Sequence, residues 1–184
     1  MKKIASIIKF TFLTLLLFGM FYPVIIWGIA QFAPNNGKGE LISANGKVVG
    51  YRRIGQKFDK NNYFWGRPSA VDYNAAGSGG SNKGPDNEEY LAIVQKRIDT
   101  FLIAHPYLKK SDIPSEMVTA SGSGLDPDIS IQGAKVQVQR IASLRKVHPE
   151  QVEALLASQT EKPLFGPEKI NILQLNIALD KLKQ

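Results

Sequence analysis

Cysteine is absent from the 184 residues, which removes disulfides, thiolate metal sites and cysteine nucleophiles together. Histidine occurs twice, as His105 and His148. Each adjoins a proline, so a helix end or a cap accounts for them better than metal ligation. A strong charge of one sign is also lacking. The formal net charge is +7, but of the 23 basic side chains Lys2, Lys3 and Lys9 belong to an N-terminal leader, and the rest of the chain sets 20 against 16 acidic ones. That balance is mildly basic and is no nucleic-acid footprint. Phosphate and nucleophile motifs are missing as well. Gly37-Lys38 and Gly46-Lys47 have neither the following Ser or Thr nor the glycine spacing of a P-loop. Ser78, Ser81, Ser121 and Ser123 all lack the Gly-x-Ser-x-Gly frame of a nucleophile elbow. Asp126 and Asp128 flank Pro127, where turn chemistry explains them more simply than paired-carboxylate catalysis. No catalytic constellation and no cofactor site emerge.

One long apolar run is present, from Phe10 to Ala33, with no charged residue in it. As a helix rising about 1.5 Å per residue it extends roughly 36 Å, enough to cross a hydrocarbon core of about 30 Å with some tilt. Lys2, Lys3 and Lys9 precede the run, and the first charges after it are the balanced Lys38 and Glu40. The positive-inside rule therefore keeps the N-terminus cytoplasmic. A cleaved signal peptide fits less well, because the run exceeds an h-region of about 7–15 residues and lacks a small-x-small site near its end. The expected division is a cytoplasmic N-terminus over 1–9, a transmembrane helix over 10–33 and an extracytoplasmic soluble domain over 34–184, in a bacterial cytoplasmic membrane. Pro23 falls within the span and cannot donate to the Gly19 carbonyl, so a kink or a partner helix is expected there.

In the outer part, Asn45-Gly46 between short apolar runs predicts a hairpin over Leu41–Val49, with the second strand continuing toward Ile54. Tyr63-Phe64-Trp65-Gly66-Arg67-Pro68 reads as an extended stretch against a core. From Asn74 to Asn87 no helical or strand period fits, which marks a long loop. Asn87 or Asp86 caps a helix that buries Leu91, Val94, Ile98 and Leu102 and ends at Pro106. A second small-residue loop covers Thr119–Asp128. Ser130 then caps a helix burying Ala134, Val138, Ile141 and Ala142, with Gln132, Lys135, Gln139, Arg140 and Arg145 to one side or in solvent. His148-Pro149 opens a short helix through Val152, Leu155 and Leu156, and Asn171 opens the last one. The fold class is thus α+β: one transmembrane helix, then a small helix-dominated domain with a short β-hairpin.

Core building does not explain the two glycine- and serine-rich loops. Loops of this length in a small domain are usually functional, and these have the groups to cradle an anion, rim an ion path or dock a protein. Tyr63, Phe64 and Trp65 are either a docking patch or buried aromatics. Arg67 pairs either with an acidic partner or with Asp72. Asn74, Ser78, Gly79, Gly80, Ser81, Asn82, Ser121, Ser123 and Asp126 are candidates for a loop surface that meets another subunit, or for hydrogen bonds within the loops.

Tyr63-Phe64-Trp65-Gly66-Arg67-Pro68-Ser69 with Tyr73-Asn74, Ser78-Gly79-Gly80-Ser81-Asn82 with Gly84-Pro85, Thr119-Ala120-Ser121-Gly122-Ser123-Gly124-Leu125-Asp126-Pro127, and Asn171-Ile172-Leu173-Gln174-Leu175-Asn176 follow one another in this order. With these motifs the chain, from anchor to C-terminus, resembles the KdpC family, the C subunits of bacterial Kdp potassium-transporting ATPases. Asp128 departs from the His expected there in many relatives. The resemblance implies partnership with a channel-like potassium-binding subunit, a P-type ATPase subunit that hydrolyses ATP, and a small single-span subunit. ATP and potassium are then used by the complex and not held by this chain. In keeping with a non-motor role, Asp59-Lys60 and Asp180-Lys181 lack the Thr-Gly-Thr that follows a phosphorylated aspartate in such pumps. The family is also described as a catalytic chaperone that raises the ATP affinity of the hydrolysing subunit, its Ser-Gly-Gly-Ser-Asn stretch likened to the signature loop of ABC ATPases. With Ser78 to Asn82 outside the membrane, such an effect has to be indirect. The alternative is a membrane-anchored regulator that touches ATP itself, which requires the opposite orientation.

Overall fold

The computed structural model describes residues 2–182. The chain falls into two units that join in sequence at Leu41 and Ile42.

The first unit is one apolar helix in two parts, α1 (Lys2–Leu16) and α2 (Tyr22–Ala30), joined by a π-helical turn over Leu17–Phe21. Over Lys3–Ala30 it is long and apolar enough to cross a membrane, with a length of about 42 Å. Helical backbone starts ahead of the uncharged run that begins at Phe10, since Ile4, Ala5, Ile7 and Ile8 extend the apolar sequence between the lysines. It stops at Ala30, short of Ala33, where Pro34 and the left-handed Asn35 and Asn36 redirect the chain. The π-turn answers the demand made by Pro23. The Tyr22 N–H bonds the Leu17 carbonyl one residue further back than in an α-helix. The widened turn makes room for the proline ring, which would otherwise press on the carbonyl four residues earlier.

The second unit is mixed helix and sheet. Strands β1 (Leu41–Ala44) and β2 (Lys47–Tyr51) form the expected hairpin. Asn45 and Gly46, at φ 51° and 76°, supply the two left-handed positions of a two-residue turn. Strand β2 ends at Tyr51 and does not reach Ile54. Helix α3 (Glu88–Ala104) is capped by the Asn87 side chain, which accepts from the Tyr90 N–H at 3.0 Å. Its first turns stand clear of the core, with Leu91 half exposed and Phe101 the buried residue near its far end.

A three-stranded antiparallel sheet follows, made of β3 (Asp128–Ser130), β4 (Thr160–Glu161) and β5 (Lys169–Asn171) in the order β3-β5-β4. Ile170 pairs with Ile129 on one side and Thr160 on the other. The helix expected after Ser130 is divided. Its first part, α4 (Ile131–Lys135), is capped by the Ser130 hydroxyl, and α5 (Val138–Arg145) resumes after a tight turn at Val136–Gln137. Helix α6 (Pro149–Gln159) opens on a His148–Gln151 capping box, and α7 (Ile172–Asp180) on the Asn171 side chain. Ile129, Ile141, Val152, Leu156, Ile170, Leu175 and Leu179 fill the core between these helices and the sheet.

Against this core lies the extended Tyr63–Arg67 stretch, which belongs to neither sheet. Phe64 is fully buried, so its peptide groups need partners inside the protein. Asn176 on α7 accepts from the Phe64 N–H at 2.9 Å and donates to the Phe64 carbonyl at 3.0 Å. Gln137, at the α4–α5 break, accepts from the Trp65 N–H at 2.8 Å and donates to the Trp65 carbonyl at 3.1 Å. Two side-chain amides thus take the place of a neighbouring strand.

Replacing Asn176 with Leu leaves both Phe64 peptide groups unpaired in the interior. We expect a loss of about 3 kcal/mol in chemical denaturation of the full chain. Replacing the exposed Gln139 with Ala should change stability by less than about 0.5 kcal/mol.

Candidate functional site

The two glycine- and serine-rich loops, far apart in sequence, lie against each other. The Gly79 N–H donates to the Ser123 carbonyl at 2.8 Å, and the Ser78 hydroxyl donates to the same oxygen at 2.9 Å. Gly80 packs against the Gly122 carbonyl. Gly124 closes the contact from the other side. Its φ is +68°, and a Cβ there would stand 2.5 Å from Val71 and 2.7 Å from the Gly79 carbonyl, so only glycine fits.

The Ser69 hydroxyl ties the second loop to the turn that leads into the first. It donates to the Gly124 carbonyl at 2.7 Å and accepts from the N–H groups of Val71 and Tyr73. Ser121 is buried, its N–H on the Pro68 carbonyl at 3.0 Å. The Ser123 hydroxyl accepts from the Leu125 N–H. Asn74 caps its own turn by accepting from the Ala76 N–H. Ser81 is half-buried, whereas Asn82 is exposed, with a left-handed φ of 52°.

Arg67 and Asp126 meet at the base of the pair. Their ion pair measures 3.1 Å, and the other Asp126 oxygen accepts from the Asp128 N–H. Asp72, one of the two alternatives for Arg67, is instead held by Lys57 at 2.8 Å, because Asp72 and Tyr73 are both left-handed and turn the chain away. The Tyr73 hydroxyl donates to the Arg67 carbonyl at 2.5 Å. Burial, with the Asp126 charge, pushes its phenol up to about 12.

The aromatic triplet offers no common docking face. Phe64 is core. Trp65 is half-buried with the Arg140 guanidinium 4.5 Å from its ring, and Tyr63 is half-buried with Arg145 at 4.8 Å. Arg140, expected to one side of the helix or in solvent, is buried. It donates from Nε to His105 Nε2 at 2.8 Å, from its terminal nitrogens to Gln137 Oε1 at 2.7 Å and the Tyr63 carbonyl at 3.1 Å, and to the Asn61 carbonyl. Arg145 is mostly covered as well and pairs with Asp180 at 2.8 Å. His105 has its Nδ1 2.8 Å from the Phe101 carbonyl. With Arg140 donating to Nε2, the ring is neutral and carries its proton on Nδ1.

Sequence reasoning passed over this network, although a signal existed. Gln137 lies three residues after Ala134 and four before Ile141, and Asn176 four after Ile172 and three before Leu179. A polar side chain on an apolar stripe needs a buried partner. Among the described residues no group of three or more His, Asp or Glu side chains is placed to hold a metal ion.

Comparison with known proteins shows the family. Residues 4–181 match the family described as KdpC: K+-transporting ATPase, c chain. The chain belongs to the KdpC family. It is 67% identical over 184 residues, all of both chains, to a potassium-transporting ATPase KdpC subunit of Flavobacterium psychrophilum. It is 66% identical over 183 residues to that of Flavobacterium johnsoniae, again covering both chains in full. Identity is 53% over 189 residues to that of Bacteroides fragilis, covering all of this chain and 99% of the relative.

The buried histidine of this KdpC-family domain makes stability depend on pH. Burial lowers the His105 pKa from 6.5 to about 4, against the opposing hydrogen bond to Phe101. Between those values the unfolded chain binds a proton that the folded chain excludes, so stability present above about pH 6.5 is lost as pH falls toward 4. We expect His105 to cost the domain about 2–3 kcal/mol between about pH 7.5 and pH 4.5. Denaturation curves of the full chain and of His105→Gln check this, the variant losing that much less on acidification.

Proposed function

We propose that this chain is the accessory, non-hydrolysing subunit of a high-affinity ATP-driven potassium uptake complex. It spans the bacterial cytoplasmic membrane once through residues 10–33, keeps 1–9 in the cytoplasm and presents 34–184 outside. Its partners are a channel-like potassium-binding subunit, a P-type ATPase subunit and a small single-span subunit. The outer domain sits by the potassium entrance of the channel-like subunit and holds the assembly together.

The observation that carries this reading is that the two loops are bonded to each other and to the domain. Gly79 N–H and the Ser78 hydroxyl both bond the Ser123 carbonyl, and Ser121 N–H bonds the Pro68 carbonyl. What remains outward is a stiff ridge bearing Asn74, Ser78, Asn82 and Ser123, all exposed. Such a ridge suits a protein surface better than a nucleotide. Three lysines ahead of the uncharged run favour the stated orientation. Any rise in the ATP affinity of the hydrolysing subunit then travels through the span or through neighbouring subunits, as a coupling of about 1–3 kcal/mol.

The absence of cysteine makes the topology directly measurable. Single cysteines at Ser81 and Ser123 should react with a membrane-impermeant maleimide added to spheroplasts, and deletion of 34–184 should release partner subunits in detergent. Labelling only after lysis, with a surface-site control labelled, contradicts the orientation. A fully assembled and active complex without 34–184 contradicts the assembly role.

A further inference from the structure

A cleft of about 570 Å³ opens in the soluble domain between α3 and the stretch from Lys57 to Tyr73, within the size range of sites that take ligands or side chains. Its walls are aromatic: Phe58, Trp65, Tyr73 and Phe101. The α3 side is a continuous strip made by Ile93, Lys96, Arg97, Thr100 and Phe101. Ile93 to Phe101 covers about 12 Å of helix at 1.5 Å per residue, the reach of roughly four residues of extended chain. Ile93 is 48% exposed.

Charge around the cleft is unbalanced. Lys57 neutralises Asp72, and Arg67 neutralises Asp126. Arg97 donates to the uncharged Val118 carbonyl at 3.2 Å, and Lys96 has no ion pair among the described residues. Asp59 is then the one lining carboxylate set against Lys96 and Arg97. Arg67 adds a further donor: its Nε is buried with no acceptor among the described residues. An aromatic trough with surplus cations along one wall complements an apolar segment that carries a carboxylate.

We propose that this cleft receives a short apolar segment bearing an Asp or Glu, supplied by a partner subunit, with the carboxylate directed at Lys96, Arg97 and the Arg67 Nε. The proposal rests on the reading of the chain as a subunit, and it places a contact on α3, away from the paired loops. Its test is a photocrosslinking benzophenone side chain at Ile93 in the full-length chain, within the assembled complex in native membranes. Ile103, on the same helix, 82% exposed and outside the cleft, is the control position.

The expected result is an adduct from position 93, and not from 103, that mass spectrometry maps to an apolar partner segment containing an acidic residue. Lys96→Glu should lower the yield about tenfold, as reversing one rim charge against a carboxylate does, and Lys96→Arg should restore it. Lys96 holds no structural ion pair, so the variant keeps the fold, and co-purification of the complex verifies that. An intact complex with no adduct at 93, an adduct to lipid or a small molecule only, or a yield indifferent to Lys96→Glu overturns the proposal and leaves the subunit reading standing. Failure of the unmodified chain to co-purify with any partner overturns both.

Discussion

Asn176 and Gln137 hold the Phe64–Trp65 segment by its peptide groups, and most of the domain is arranged around that hold. In a sheet, a neighbouring strand would satisfy those groups and leave the side chains free to vary. Here the partners are a side chain on α7 and one at the α4–α5 break, so the positions of these elements and the segment are fixed together. Phe64 enters the core, Trp65 lies beside Phe101 and His105, and Arg140 covers the far face of Trp65 while bonding Gln137, His105 and the Tyr63 carbonyl. A buried polar network of this kind stabilises only when complete. The neutral His105 completes it, accepting from Arg140 on one nitrogen and donating to Phe101 with the other.

The same segment continues through Arg67 and Ser69 into the first of the two loops, which transmits the rigidity outward. Ser69 bonds the second loop at Gly124 and the turn at Val71 and Tyr73, Tyr73 closes onto the Arg67 carbonyl, and Gly79 pairs with Ser123 across the gap. A surface of small side chains on two loops bonded to each other is held in place without being bulky. It loses little conformational entropy when another protein covers it.

Much of this was legible in the sequence. The apolar run, the Asn45-Gly46 turn, the caps at Asn87 and Ser130, the His148-Pro149 start and the opening of the last helix at Asn171 each rest on local chemistry, and each appears in the structure. The three-stranded sheet was not legible, because strands of three, two and three residues are too short to display a period. The division of the helix at Gln137, the burial of Arg140 and the pairing of Arg67 with Asp126 were missed for a common reason. Each depends on partners distant in sequence, which local pattern does not reveal. The motifs of the loops identified the family, yet their pairing with each other came only from the fold.

The claim on which the functional account turns is that the paired loops meet protein and not nucleotide. Titration of ATP into the full-length purified chain, followed by calorimetry, measures this most directly. The account predicts no saturable heat, for the native chain and for Ser78→Ala with Asn82→Ala alike. Saturable micromolar binding that disappears in the double variant would contradict it and return the Ser78–Asn82 loop to direct nucleotide contact.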